Sequence, residues 1–509
     1  MPRTHRHRAV TAAAALVLVL GACSGESGAF DESGGSGDPA DEAAAGDRER
    51  PARPDDDPTG GAQPRAGPDP GPSTVFANRL WTERPVVDLT FDLSGDPGTV
   101  TGSETVVFRP DRRICEVVFR QWTNKPETVR LGNESTITGA RVDGRRVDPE
   151  FEALGSPATQ GSLARFPLPS CLGQGDRVTV DLRFKLTLGR STPERVGYSK
   201  DLVWLATAFP LLAWERGPGW AENPVVDQIG EMTTSEEFRL DSLRVVVPRK
   251  YAVLGTGRHR GREAGPTQGT AVETFTAESV RDVAVTAGVL NTVTRRLDGV
   301  RVHVGGPRGL KTRLGVWADR NIRAIKRLQA LLGPFPYRDL WVSVLPDCPT
   351  GIEFPGAIQY GDFTTNHRIY DKLVAHEVAH MWFYGLVGNN QGVNPWLDES
   401  FTSWADYTVN ETRPPPLAGL DAAEDEVGRS LQWYAQPDTR DEYAWGVYEQ
   451  GAAMLFQARR AAGPGVFNRL IRRYIRRNAH SVATPADVRR AFSGSPQAIR
   501  VLREYGAFR

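Results

Sequence analysis

Five residues, His376-Glu377-Val378-Ala379-His380, restrict this chain more than any other stretch. With 8 histidines in 509 residues, an H-E-x-x-H run arises by chance in about one such chain in a hundred. On a helix, positions i and i+4 stand one above the other on the same face. His376 and His380 can therefore present two imidazole nitrogens to one ion, with Glu377 rotated about 100° around the axis to flank a water there. A catalytic zinc needs a third protein ligand and an open position. Glu399, within "NPWLDESFTSW", is the candidate, and 18 residues separate it from His380. That length can end one helix, turn through Gly385, Gly388 and Asn389-Asn390, and begin another at Asn394-Pro395. The set predicts one Zn2+ per chain on His376, His380 and Glu399.

The rest of the chain supplies two kinds of pattern. From 76 to 290, segments such as "CEVVFRQW", "RVTVDLRFKLTL" and "RDVAVTAGVL" alternate apolar and polar residues between Gly, Pro and Asp clusters. Many short strands at that spacing predict an antiparallel, sandwich-like β domain. From 291 to 509 the character is mixed. "LKTRLGVWADRNIRAIKRLQALL" places Leu314, Trp317, Ile322, Ile325, Leu328 and Leu332 at mostly helical spacing and stops at Gly333-Pro334. "LWVSVLP" and "TGIEFPGAIQY" then read as strands, followed by the motif helix and further helices. The fold class is therefore α+β, a β domain followed by an α+β catalytic domain.

The N-terminal residues carry their own expectation. Arg3, Arg6 and Arg8 precede an apolar run from Ala9 to Leu20, too short for a permanent bilayer span but suited to an export signal. Leu20-Gly21-Ala22-Cys23 resembles a bacterial lipobox, which predicts removal of residues 1–22 and a lipid on Cys23. Residues 23–75, rich in Gly, Pro, Asp and Ser, cannot bury enough surface to offset the entropy of ordering and read as a tether. The expected location is the outer face of a bacterial cell membrane, reached by export and held through the lipid. A net charge of zero gives no reason to expect nucleic acid as a partner. Of the remaining cysteines, Cys115 and Cys171 both fall in the β domain and form the more plausible disulfide, leaving Cys348 free.

H-E-x-x-H, 18 residues, then Glu in a W-L-x-E-x-F context resembles the zinc signature of the M1 metallopeptidases, the gluzincin group of aminopeptidase N and leukotriene A4 hydrolase. "TGIEFPGAI" resembles that family's G-x-M-E-N segment. The match puts Gly351 in the substrate-binding strand and Glu353 at the position that grips a peptide's free amino group. "VYEQGAAML" resembles its Y-x-K-G-A helix and puts Tyr448 at the position of the phenol that stabilises the transition state. Tyr443, five residues earlier, is a second candidate to face the site. The resemblance covers about 85 to 509 and implies a saddle-shaped β domain followed by a thermolysin-like domain. The chain departs from the pattern at Ile352, Phe354, Asp398 and Gln450, where the family commonly has Met, Asn, Asn and Lys. These departures leave zinc chemistry untouched and bear on the amine clamp.

The resulting expectation is a zinc-dependent metallopeptidase acting on peptide substrates, an aminopeptidase in which Glu377 moves the proton and Tyr448 donates to the oxyanion. Two alternatives stand beside it. One is a zinc endopeptidase or hydrolase of modified peptides. The other is a lipid-anchored binding protein with a structural zinc, which would need a fourth protein ligand. In "VFNRLIRRYIRRNAH" an apolar stripe leaves Arg469, Arg472, Arg473, Arg476 and Arg477 mostly outside it, which reads first as a solvated face on a packed helix and second as a contact with anionic lipid.

Overall fold

The computed structural model describes residues 75–509 apart from 193–194, 229–234, 347, 349, 363–366 and 413–425. The export signal, Cys23 and the tether up to residue 74 lie outside the described residues. Among the described residues ahead of 290 nearly all the regular elements are strands. An eight-stranded sheet runs in the order Arg258–Ala264, Thr270–Val280, Phe238–Pro248, Val86–Asp92, Thr99–Phe108, Val178–Thr187, Glu134–Val142 and Arg145–Arg146. Its pairs are antiparallel except that between Val86–Asp92 and Phe238–Pro248. The alternation read from the sequence is the cause of the packing. In Val178–Thr187, residues 178, 180, 182, 184 and 186 are buried while those between them face outward. The inward set, with Phe91, Val106, Phe108 and Phe275, builds one core. Strands Ile114–Arg120 and Leu163–Leu172 pair in a smaller sheet, and the Cys115–Cys171 disulfide joins them. Cys348 is a buried free thiol.

A five-stranded sheet follows: β1 (Asn291–Leu297), β2 (Val300–Gly306), β3 (Asp339–Leu345), β4 (Gly351–Phe354) and β5 (Ala357–Gly361), in the order β1-β2-β3-β5-β4. Strands β2, β3 and β5 are parallel, and β4 lies antiparallel at the edge. Between β2 and β3 the chain forms α1 (Leu314–Leu332), whose buried Leu314, Trp317, Ile325 and Leu328 match the predicted stripe. Gly333 ends it at φ 112°, a conformation for which glycine lacks the Cβ penalty. The sheet is a wall between two cores. Val342, Val344, Ile358 and Tyr360 face the helices, whereas Trp341, Phe354 and Ala357 pack into the core of the β domain.

The helical side contains α2 (His367–Ala379), α3 (Trp396–Val409), α4 (Gly451–Ala462), α5 (Pro464–Asn478), α6 (Pro485–Ala491) and α7 (Pro496–Glu504). A buried ionic cluster ties this side to the β domain. The Arg281 guanidinium donates to Ser235 O at 2.7 Å and to Gly385 O at 3.4 Å, and pairs with Glu237 at 3.6 Å. Glu237 also meets His480 Nδ1 at 2.8 Å. His480 in turn donates its backbone N–H to Leu386 O. The turn that follows the metal-binding motif is thus fastened to a strand of the β domain.

Candidate metal centre

Helix α2 runs to Ala379, and His380 closes its last turn. The backbone joins His380 N to His376 O at 3.3 Å, which keeps the two rings on one side with centroids 4.9 Å apart. Pro395 precedes the first residue of α3, and Glu399 lies in the first turn of that helix. Glu399 Oε2 is 3.1 Å from His376 Nε2 and 3.5 Å from His380 Nε2. All three residues are buried. Two imidazole nitrogens and one carboxylate oxygen converge within 4.8 Å of one another, a donor set that suits zinc.

The far side of each ring is also held. His376 Nδ1 meets Asp406 Oδ2 at 3.0 Å, and His380 Nδ1 meets Asp398 Oδ1 at 2.7 Å. Gln391 Nε2 donates to the other Asp398 oxygen at 2.7 Å. A carboxylate on Nδ1 favours the tautomer whose Nε2 lone pair points at the ion, and fixes the ring plane. Sequence reading treats Asp398 only as a departure from the family pattern and passes over Asp406. Both belong to α3, one residue before and seven after Glu399, where spacing gives a signal only once the helix axis is known.

Charge in this pocket is tightly balanced. Burial works to lower the His376 imidazole, but Asp406 and Glu399 outweigh it and push it up to about 9. Burial would raise the Glu399 carboxyl, and the two imidazoles beside it reverse the sign and hold it low. Zinc requires neutral imidazoles, so loading the site displaces those protons. Glu377 goes the other way, lifted chiefly by burial against the pull of His376 and His380.

Glu353 and Gly351 sit on β4, the edge strand. Strand alternation turns Glu353 toward α2, where its Oε2 is 4.0 Å from His380 Nε2, and places Gly351 against Glu377. Glu353, Glu377 and His380 form a second convergent group beside the first. Glu353 Oε1 and Glu377 Oε2 are both buried and have no hydrogen-bond partner among the described residues. Phe354, next in the strand, faces the opposite way and is fully buried in the β-domain core. The side chain that replaces the family's Asn therefore points away from the carboxylates.

Tyr448 lies in a π-helical segment, Ala444–Gln450, whose wider turn follows no simple sequence periodicity. Its ring stacks on His376 with centroids 5.8 Å apart, and burial, then the charge of Glu399, push its phenol well up. Ser400 Oγ donates to Val447 O at 2.6 Å and fastens the segment to α3. Tyr443 packs edge-on to Tyr448 with ring centroids 5.7 Å apart; burial, and then the charge of the ligand Glu399, push its phenol well up. Arg195, buried on the β-domain side, has its guanidinium 5.3 Å from the Phe354 ring and exerts an electrostatic pull on Glu377. It too goes unnoticed in the sequence, where no motif surrounds it.

Residues 361–502 match the model of the Peptidase family M1 domain. Among curated proteins, Aminopeptidase M1-B of Oryza sativa subsp. japonica is 25% identical over 254 residues, covering 44% of this chain and 29% of that one. Aminopeptidase M1 of Arabidopsis thaliana is 26% identical over 190 residues, covering 32% and 22%. The chain thus spans less than a third of the length of these relatives. Among solved structures, an M1 zinc metallopeptidase from Deinococcus radiodurans superposes with a TM-score of 0.58 at 19% identity, over 84% of this chain and 94% of that one. A mutant of it bound to a Tyr-Ser-Ala substrate gives the same score over 83% and 94%. The likeness to these structures is one of fold.

Proposed function

We propose, from the match of residues 361–502 to the peptidase family M1 domain, that the chain is a zinc-dependent aminopeptidase. One observation carries the exopeptidase reading. Two buried carboxylates, Glu353 and Glu377, each keep an oxygen without a partner beside the ligand triad, one on an edge strand and one on the motif helix. A buried, unpartnered carboxylate is costly unless a donor arrives. A peptide ammonium group supplies that donor to Glu353, and an attacking water supplies it to Glu377.

His376, His380 and Glu399 would hold the zinc, which when bound polarises the scissile carbonyl and lowers the pKa of water. Around it the chain's own groups do the rest. A peptide added along the edge of β4 arrives with its amino end at Glu353, because an edge strand offers unpaired backbone groups to an extended chain. Glu377 takes a proton from the attacking water and returns it to the leaving amine. Tyr448 donates its hydroxyl to the oxygen on which negative charge develops, worth on the order of 3 kcal/mol for one preorganised donor. Asp406 and Asp398 hold the imidazoles in the ligand tautomer.

The same proposal divides the chain into a β domain at 76–290 and a catalytic domain at 291–509, supported by the change of pattern near 290. It also places a lipid on Cys23 and the protein on the outer face of the membrane, supported by the basic start, apolar run and lipobox-like residues. Glu353→Ala tests the specificity. Loss of a charge-assisted bond to the ammonium lowers kcat/KM for free-amine peptides about 10- to 100-fold. The parent should cut N-acetylated peptides poorly. Equal rates on free and acetylated peptides would mean an endopeptidase, with the zinc assignment intact.

A further inference from the structure

The chain is neutral as a whole, but its charge is not evenly spread. Residues 451–509 contain twelve arginines and no lysine, against only Asp487 and Glu504, a net charge of +10. The other 450 residues therefore carry −10. A separation of this size within a single chain points to an anionic partner for the basic part.

The fold determines where these arginines go. Phe467, Leu470, Ile471, Tyr474 and Ile475 turn one side of α5 inward. Phe467 packs on Trp404 at 5.4 Å and Tyr474 on Phe401 at 5.2 Å, both in α3. Those α3 residues lie across the helix from Glu399 and Asp406, so the outer side of α5 faces away from the candidate metal centre. On that outer side Arg469, Arg472 and Arg476 follow one another at spacings of three and four residues, and all three are exposed. Arg472 donates to Leu331 O at 2.9 Å, which sets the C-terminal end of α1, with exposed Lys326, against the same stripe. Arg473 reaches Ala491 O and brings up α6, where Arg489 is exposed. Arg469, Arg476, Arg477 and Lys326 have no ion-pair partner among the described residues. A solvated face that served only solubility would mix both signs. On α5 the exposed charges are all positive, and the one acid of α6, Asp487, is paired with Arg490.

We propose that the outer face of α5, continued by α1 and α6, docks on the headgroups of an anionic phospholipid bilayer. The match is one of charge. Guanidinium groups pair with phosphate oxygens in bidentate fashion, and a stripe of them on a rigid helix can meet several phosphates at once. Each basic side chain at such a surface strengthens binding by roughly fivefold. The proposal is independent of the peptidase reading, since no residue in it belongs to the metal centre.

The test uses the full chain carrying Cys23→Ser, so that a lipid on that residue plays no part. It is spun down with vesicles of phosphatidylcholine alone or with about 30 mol% phosphatidylglycerol, a charge density at which basic surfaces bind. Binding to the anionic vesicles only, lost at raised salt, is expected. Adding Arg469→Gln, Arg476→Gln and Arg477→Gln together should lower the partition coefficient on the order of 10²-fold. Zinc content and activity on a short soluble peptide should stay those of the parent, which shows that the variant is folded. Equal binding to both vesicles would overturn the proposal, as would a triple variant that binds like the parent. So would retention on soluble polyphosphate or an acidic protein without any on anionic vesicles.

Discussion

Gly351 and Glu377 share one space: a Cβ on residue 351 would lie 2.5 Å from both Cγ and Oε1 of Glu377. The glycine is needed here for room, and what it makes room for is the carboxylate assigned to proton transfer. Gly351→Ala should therefore push the Glu377 carboxylate aside without unfolding the strand. A shift of about 1 Å at a reacting group costs roughly 10²-fold in rate. Steady-state kinetics should show kcat reduced by that factor with zinc content near one per chain, and a variant of unchanged kcat would contradict the placement.

Glu377→Gln and Glu399→Ala should separate chemistry from metal binding. The first removes a proton carrier beside the ion and lowers kcat by about 10²- to 10⁴-fold. It keeps the zinc. The second deletes a ligand, so metal analysis after dialysis should find little zinc. Retained metal in Glu399→Ala would mean that another residue closes the site.

Asp406 and Asp398 are predicted to act through the imidazoles they hold. Asp406→Asn removes the charge facing His376 Nδ1 at 3.0 Å, and Asp398→Asn does the same for His380 at 2.7 Å. Each should weaken zinc affinity about 10- to 100-fold. Competition against a chromophoric chelator measures this directly, and parent-like affinity in both variants would show that the aspartates orient nothing.

The buried Glu237–His480 pair gives stability a defined pH window. Burial would raise Glu237, but His480 and Arg281 outweigh it and lower its pKa. Its contribution is therefore present above about pH 4.3, where the unfolded carboxyl ionises, and is lost as pH falls through the folded value. For His480 burial would lower the imidazole, and Glu237 reverses the sign and raises it. Its contribution is full below about pH 6.5 and fades as pH rises through the folded value. Both act together between about pH 4.3 and 6.5. His480→Gln should destabilise by on the order of 2 kcal/mol in that window, with the gap from the parent narrowing in alkaline buffer. A gap in melting temperature that stayed constant from acid to alkali would refute the pairing.

Reduction of Cys115–Cys171, 56 residues apart, should weaken the β domain by about 4 kcal/mol in the chain-entropy model. Thiol titration of native protein carrying Cys23→Ser should find no reactive group, because Cys348 is buried. In denaturant without reductant it should find one. Three would show the bridge to be absent.

The ligand triad and the carboxylate Glu377 were legible because helix geometry turns residue spacing directly into spatial proximity. His376, His380 and Glu399 need no long-range information beyond one turn between two helices. The alternating strands, the stripe of α1 and the Cys115–Cys171 bridge were readable for similar local reasons. Asp406 and Asp398 were not, since a polar residue on a helix looks the same whether it faces water or an imidazole. The π-helical turn that carries Tyr448 has no periodic signature, so its place came from resemblance alone. Phe354 turns its ring into the β-domain core, a direction that alternation gives only once the buried face of each neighbour in the strand is known.

That alternation has a consequence for how the protein ages in heat. Glu353 and Phe354 are consecutive, one turned toward the ligand triad and the other fully buried in the β-domain core. The hydrophobic seam is thus the ruler against which the Glu353 carboxylate, proposed to bind the amine, is set. Edge strands open at lower free energy than whole domains do. A fraction of an ångström of play in the seam will blur the ruler while every helix is still in place. Discrimination between free and blocked peptides should therefore decline on warming before the protein melts.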